Sequence, residues 1–309
     1  MQKPANNRIK FRHMQCFLAV WQLGTVQRAA DSLSITQPAV SKTIAELEEM
    51  VGAPLFERGR HGAVPTRHGQ LFAPHALACM AALRQGVDEV RQEGAHASAV
   101  IAVGVLPSVA AALLPAALRA FREQWPAVSV RILTGSNQHL LESLRAGDIA
   151  FAIGRLSDSE AMAAMSFEFL YRDPLAVVVH AGHVLARAGV VPPSTLARYP
   201  IVVPPPGTLI RQSADSVLTA FGAQPSSASL ETLSVSLGRT FALHNEAVWF
   251  VPSSAVEDDL ASGVLVKLPM PFPGTDEPIG LIRRSEPPMT AAMADLAAAI
   301  RKEGRLRNL

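Results

Sequence analysis

Cysteine is almost absent: Cys16 and Cys79 are the only two among 309 residues, far apart and without the spacing of a metal site. A disulfide framework is excluded, and two free thiols suit a reducing compartment. Aromatic residues make up only 6% and charged residues 17% of the chain. Long apolar runs are missing too, since none reaches the roughly 20 residues that a membrane-spanning helix needs. The opening MQKPANNRIKFRH is polar and basic and lacks the apolar core and cleavage site of a signal peptide, so a cytoplasmic protein with no membrane partner is expected. No G-x-S-x-G, G-x-G-x-x-G, P-loop or H-E-x-x-H pattern occurs, and the nine histidines are scattered. Nothing implies an enzyme, a cofactor or a metal site.

What is present is a chain 49% hydrophobic and long enough for two or three domains with buried cores. Its net charge of +2 is unevenly spread, with nine Lys/Arg against five Asp/Glu in residues 1–70. A basic head on a near-neutral body fits a nucleic-acid-binding domain joined to something else.

Met14, Phe17, Leu18 and Trp21 recur at i, i+3, i+4 and i+7, predicting an amphipathic helix from about residue 10 to Gly24. A short helix follows over VQRAADSLS, with Ala29, Ala30 and Leu33 inward. Thr36 then caps a third helix, with Gln37 in its first turn and Pro38 at the second position, where a missing N–H costs no bond. Val40, Ile44, Leu47 and Val51 line one side of this helix; Pro38, Ser41, Lys42 and Ala45 cluster on the other. Such a helix can enter a major groove N-terminus first, with short side chains near its axis and Gln, Ser and Lys as donors. An ordinary three-helix unit with a solvated face is the alternative. The segment LFERGRHGAVPTRHG adds glycines at 59, 62 and 69 and suits a β-ribbon wing with Arg58 and Arg60 on phosphates or the minor groove. Thr66 can cap a long helix from Arg67 to about Gly94.

RAADSLSITQPAVSKTIAELEEMVGAPLFERGRHGAVPTRHG resembles the N-terminal domain of LysR-type transcriptional regulators. The likeness rests on the alanine pair, the Q-P-A-V-S-K helix, the L-F-E-R segment and the T-x-x-G that opens the linker helix. It implies base and backbone contacts from Thr36, Gln37, Pro38, Ser41 and Lys42, wing contacts from Arg58 and Arg60, and a place for Thr66 at the interface. It also implies that Leu71, Phe72, Cys79, Leu83, Val87 and Val90 pair with a second subunit, in a homo-oligomer (a dimer of dimers) that meets promoter DNA and RNA polymerase. Cys79 is expected as a small buried hydrophobe. Pro65 stands where the family has an apolar residue, and Pro74 predicts a bend in the linker helix.

After EGAHASA the chain alternates strands and helices. Strand-like runs are VIAVGVL (100–106), SVRILTG (129–135), IAFAIG (149–154), LAVVVH (175–180), PIVVP (200–204), AVWFVP (247–252), VLVKLP (264–269) and IGLIRR (279–284). This rhythm predicts an α/β body with mostly parallel sheets. The complete expectation is a winged helix-turn-helix domain at 9–66 (all-α with a β wing), a linker helix at 67–95 and an effector domain at 98–305. The resemblance makes the last periplasmic-binding-protein-like, with lobe I at about 98–167 and 269–305 and lobe II at about 168–268. Ser108, Asn137, Gly207 and Thr208 fall at helix starts, where free N–H groups hold carboxylates. Arg155 and Arg211 follow strands; together these six suggest a cleft for a small charged acid. Each also has a structural reading, as a helix cap or a surface ion pair.

Within the family, RIKFRHMQCFL, ALRQGVDEV, LPSV, AIGRL, SFEFLY, PPPGTLIR and AVWFVP are similar to the regulators of protocatechuate catabolism, the PcaQ group. That resemblance implies an activator responding to a carboxymuconate. Regulators of the galactose-binding-protein type share many of these segments and are the alternative, with a small-molecule binding protein or enzyme more remote.

Overall fold

A computed structural model describes residues 9–59, 62–93, 100–159, 161–162, 164–189, 191, 193–220, 230–270, 276–285 and 288–307. The chain divides into two compact units, Met1–Ala97 with Arg145–Asp148, and Ser98–Leu144 with Ile149–Leu309.

The first unit opens with α1 (Phe11–Leu23), α2 (Val26–Leu33) and α3 (Gln37–Val51). Phe17, Val20, Ala29, Ala30, Val40, Ile44 and Leu47 are buried together in its core. Burying each of the larger side chains contributes about 1.5–3 kcal/mol, while the small Ala29 and Ala30 let α2 lie close to its neighbours. Val51, assigned to the same inner stripe by spacing, is instead exposed at the end of α3. Gly24 and Gly52 close α1 and α3 in the left-handed conformation that glycine adopts without strain. The wing follows as β1 (Phe56–Gly59) antiparallel to β2 (Gly62–Pro65). The Glu48 carboxylate accepts from the Leu55 and Phe56 N–H groups at 2.7 and 3.1 Å, fastening the wing to α3.

Helix α4 (Arg67–Glu93) runs on through Pro74 as one helix. Its Ala73, Ala76 and Met80 pack into the first unit's core. Leu71, Leu83 and Val87 are exposed, leaving an apolar stripe. One residue departs from the expected stripe. Phe72 turns inward, its ring 5.1 Å from that of Phe17. Cys79, exposed within the single chain, stays on that stripe one turn before Leu83. The Arg58 and Val90 side chains, Arg60 and the 94–99 part of the EGAHASA segment lie outside the described residues.

In the second unit, β3 (Val100–Val105) pairs in parallel with β4 (Ser129–Thr134) and β5 (Phe151–Arg155). Helices α5 (Pro107–Gln124) and α6 (Asn137–Ala146) connect them. The sequence pattern began a strand at residue 175, but β6 runs unbroken from Met165 to His180. Its first half pairs antiparallel with β11 (Asp276–Arg284); its second half pairs with β9 (Val248–Pro252) and β10 (Leu265–Lys267). The change of partners falls at Pro174–Leu175, later than residue 168, and Leu170 and Tyr171 sit in the lobe I core. Lobe II adds β7 (Ile201–Val203), parallel to both β9 and β8 (Leu230–Glu231). It also contains α7 (Leu209–Ala220), α8 (Val235–His244) and α9 (Glu257–Ala261). Helix α10 (Ala291–Leu306) then returns to lobe I. The sheets are therefore mixed rather than mostly parallel, because the long strands passing between lobes run antiparallel.

Candidate DNA interface and effector cleft

Thr36, Gln37, Pro38 and Lys42 are exposed along the N-terminal half of α3, and Ser41 is half-buried beside them. Pro38 occupies the first turn without interrupting the helix. Thr36 is the N-cap by position, yet its side chain makes no capping bond and stays on the surface. Its backbone oxygen instead accepts from the N–H groups of Ala39 and Val40. Lys42 faces Glu46 one turn on, whose carboxyl is held below its usual range by bonds from His13 and Arg12. A helix presenting these groups can approach base edges closely while its opposite face stays in the core.

Arg58 lies on β1 opposite Ala63 in the wing. The Ala63 N–H donates to the Gly24 carbonyl at 2.9 Å, binding the wing to the α1–α2 turn. A Cβ on Gly62 would stand 2.5 Å from that same carbonyl oxygen, so only glycine allows the approach. Thr66 is occupied internally: its hydroxyl donates to Pro54 O at 2.7 Å and accepts from Gly69 N–H at 3.1 Å. It caps α4, the role its place before Arg67 implied. Gly24 and Gly62 were read from sequence as a helix end and a wing glycine; that they and Glu48 together set the wing's position was not.

The second unit has a cleft between its lobes. Leu106, Ser108 and Arg155 line it from lobe I; Pro204, Thr232 and Trp249 line it from lobe II. The starts of α5 and α8 both face it, through Ser108 and Ser234. Helix starts carry unpaired N–H groups and partial positive charge, so they favour anions. The free space in the cleft is small, about 50 Å³.

Arg155 is 4% exposed. Its Nε and Nη2 have no hydrogen-bond partner, and Nη2 lies 3.7 Å from Asp173 Oδ2. Burial lowers the tendency of Arg155 to be charged, and Asp173 opposes that effect; a guanidinium nevertheless stays protonated. Burial also pushes the Asp173 carboxyl up, against Arg155 and the bonds from Ser254. The Tyr171 hydroxyl, buried and unpartnered, is pushed up by burial first and by Asp173 second, and stays neutral.

Of the six expected effector residues, the cleft takes Ser108 and Arg155. Asn137 belongs to a supporting layer: its amide bonds the Arg155 backbone and Ser157 Oγ. Arg211 is not a cleft cation. It is held by Asp215 Oδ1 at 2.7 Å, Glu231 Oε1 at 2.7 Å and Pro204 O at 3.0 Å. Thr208 caps α7, accepting from Arg211 N–H and donating to Pro205 O, and Gly207 supplies the φ of 82° that turns the chain into that helix. These three brace the loop rather than line the space. Sequence reading missed Tyr171, Asp173 and Ser254; the alternating SFEFLYRDP run carried the signal for a strand with polar groups turned inward.

The geometry agrees with comparisons to known proteins. Residues 11–70 match the bacterial regulatory helix-turn-helix protein, lysR family, and residues 94–305 match the LysR substrate binding domain. The chain belongs to the LysR family. This LysR-type chain is 40% identical over 301 residues to the transcriptional regulator YdcI of Escherichia coli (strain K12), covering 96% of each. It is 39% identical over 297 residues to the transcriptional regulator PcaQ of Agrobacterium fabrum, again covering 96% of each. The crystal structure of full-length BenM shares its fold at 26% identity and a TM-score of 0.54, covering 97% of this chain and 98% of that one. The LysR-type chain is thus a DNA-binding transcription regulator with an effector domain, not an enzyme. Among the described residues, no helix is long and apolar enough to cross a membrane.

Proposed function

We propose that this regulator activates an operon for protocatechuate degradation in response to a carboxymuconate-type acid bound at Arg155. One observation carries the choice of an acid: a buried guanidinium with two unpartnered N–H donors on the wall of the cleft. A buried donor without a partner costs about 1–3 kcal/mol, which a carboxylate accepting both bonds offsets. The identity to PcaQ supports the pathway. Two linker helices pair through Leu71, Leu83 and Val87, and the working form is a dimer of dimers in the cytoplasm that presents reading heads to a two-fold operator. The effector acts on RNA polymerase at the promoter by binding one arrangement of the assembly more tightly than another. Titration with 3-carboxy-cis,cis-muconate and with galactose, following melting temperature, tests the effector. A rise with the tricarboxylate alone is expected; a rise with galactose and none with the acid rejects the reading.

A further inference from the structure

Beneath the cleft, Arg155, Ile279 and Tyr171 form one row across β5, β11 and β6. Asp173 lies two residues beyond Tyr171 on β6 and so shares its face of the strand. Both Asp173 oxygens reach lobe II: Oδ1 accepts from Ser254 N–H at 3.0 Å and Oδ2 from Ser254 Oγ at 2.7 Å. The Ser254 hydroxyl has a second acceptor in reach, the Ser108 carbonyl of lobe I at 3.2 Å. A hydroxyl has one hydrogen, so only one of these acceptors is served at a time. While Asp173 is ionised, the shorter, charge-assisted bond takes it. Once Asp173 is protonated, its own Oδ2–H donates to Ser254 Oγ and the serine hydrogen turns to Ser108 O. Both states are satisfied, and the second adds a bond between lobes.

We propose that an effector carboxylate displaces Asp173 as the counter-ion of Arg155, and that Asp173 takes up one proton from solvent as this happens. The inference rests on the reading of Arg155 as the carboxylate anchor. The incoming anion engages Nε and Nη2, and Nη2 is the nitrogen nearest Asp173. The other groups around Asp173 do not replace that partner. Glu277 is its neighbour across β11, Glu257 opens α9 and repels it, and Tyr171 on β6 is neutral. Arg307, at the end of α10, is pinned to both Glu257 oxygens at 2.7 and 2.9 Å. A buried carboxylate left among other carboxylates is protonated rather than kept charged. The product is a neutral Asp173 acid, an ion-paired effector and a Ser254–Ser108 bond that favours closure of the lobes.

The test uses the full chain and isothermal calorimetry with cis,cis-muconate and 3-carboxy-cis,cis-muconate, in buffers of different ionisation enthalpy between about pH 6 and about pH 8, where the ligand carboxylates are ionised. Net uptake approaching one proton, and affinity rising by up to about tenfold per pH unit lowered, are expected. Asp173→Asn abolishes both and binds at the upper pH at least as tightly as the natural chain. Should that variant fail to fold, Ser254→Ala serves: it removes a bond to the ionised carboxylate, so half-uptake moves to higher pH. Binding without proton uptake, or a pH slope retained in Asp173→Asn, overturns the proposal. Sodium sulfate is the separating arm. If no carboxylate binds but sulfate raises the melting temperature more at low pH in the natural chain than in Asp173→Asn, the effector reading falls and the Asp173 exchange stands. If no anion binds, both fall.

Discussion

Asn137 grips the backbone of Arg155 from both sides, its Oδ1 accepting from Arg155 N–H at 2.9 Å and its Nδ2 donating to Arg155 O at 3.0 Å. The start of α6 thereby fixes the end of β5, where the cleft's buried cation sits. The fit is close, since a Cβ on Gly154 would stand 2.6 Å from Asn137 Oδ1.

Asn137→Ala therefore weakens effector binding without touching the ligand. It releases two backbone groups, at about 1–3 kcal/mol for a buried unsatisfied donor or acceptor, and lets Arg155 drift. Affinity for the proposed acid effector falls about tenfold or more, measured by calorimetry, while operator affinity in the absence of effector is unchanged.

Arg155→Met leaves Asp173 buried without its cation. Removing one partner of a buried pair costs about 3–5 kcal/mol, so the urea midpoint of the effector domain falls sharply. Arg155→Met combined with Asp173→Asn recovers most of that loss, because the buried carboxylate left without its cation is removed as well. Equal destabilisation in the single and double variants rejects the coupling. Neither variant binds the acid.

The helix-turn-helix was legible because its constraints are local. Val40, Ile44 and Leu47 mark the buried face of α3 by spacing alone, and Pro38 is tolerated only in a first turn. The cleft was legible in part. Ser108 and Arg155 follow strands and line it, but Arg211 follows a strand equally well and is spent on Asp215 and Glu231. Those partners, four and twenty residues away, are chosen by the packing of α7 and β8, which no periodicity reports. Asp173 was hidden for a similar reason: its role depends on β6 passing between lobes and on Ser254 arriving from eighty-one residues further along.

Gly62→Ala separates wing placement from folding. Gly62 has a φ of 114°, where a side chain is strained, and its Cβ would meet the Gly24 carbonyl. The expected result is a loss of about 1–3 kcal/mol in stability and a larger proportional loss in operator affinity, as the wing moves off the α1–α2 turn. Fluorescence anisotropy with operator DNA beside a thermal melt distinguishes the two; undiminished DNA affinity removes the wing from the interface.

Lys42→Ala and Arg58→Ala test the assigned DNA contacts directly. Removing one cation from a phosphate reduces the slope of log affinity against log salt by about one. Both variants keep the natural affinity for the effector, since they lie in the first unit. If Lys42 reads a base rather than a phosphate, its loss also relaxes sequence preference, by about 1–3 kcal/mol at one position.

His183 makes lobe II sensitive to acid. The ring is fully buried, its Nδ1 accepts from Leu185 N–H at 3.0 Å and its Nε2 faces Glu246 O at 3.3 Å. Burial holds its pKa below the ordinary value, against the pull of Glu246. Protonation would also place a hydrogen on Nδ1, where Leu185 already donates. The folded state thus binds a proton less readily than the unfolded one, whose histidine titrates near about 6.5. Stability is full above that pH and is lost as pH falls through it toward the folded-state pKa. Urea midpoints stay level from about pH 8 to about pH 7 and drop toward about pH 5.5. His183→Asn keeps an acceptor near the Nδ1 position but cannot titrate, so it shallows that drop; an identical pH dependence in the variant assigns the acid sensitivity elsewhere.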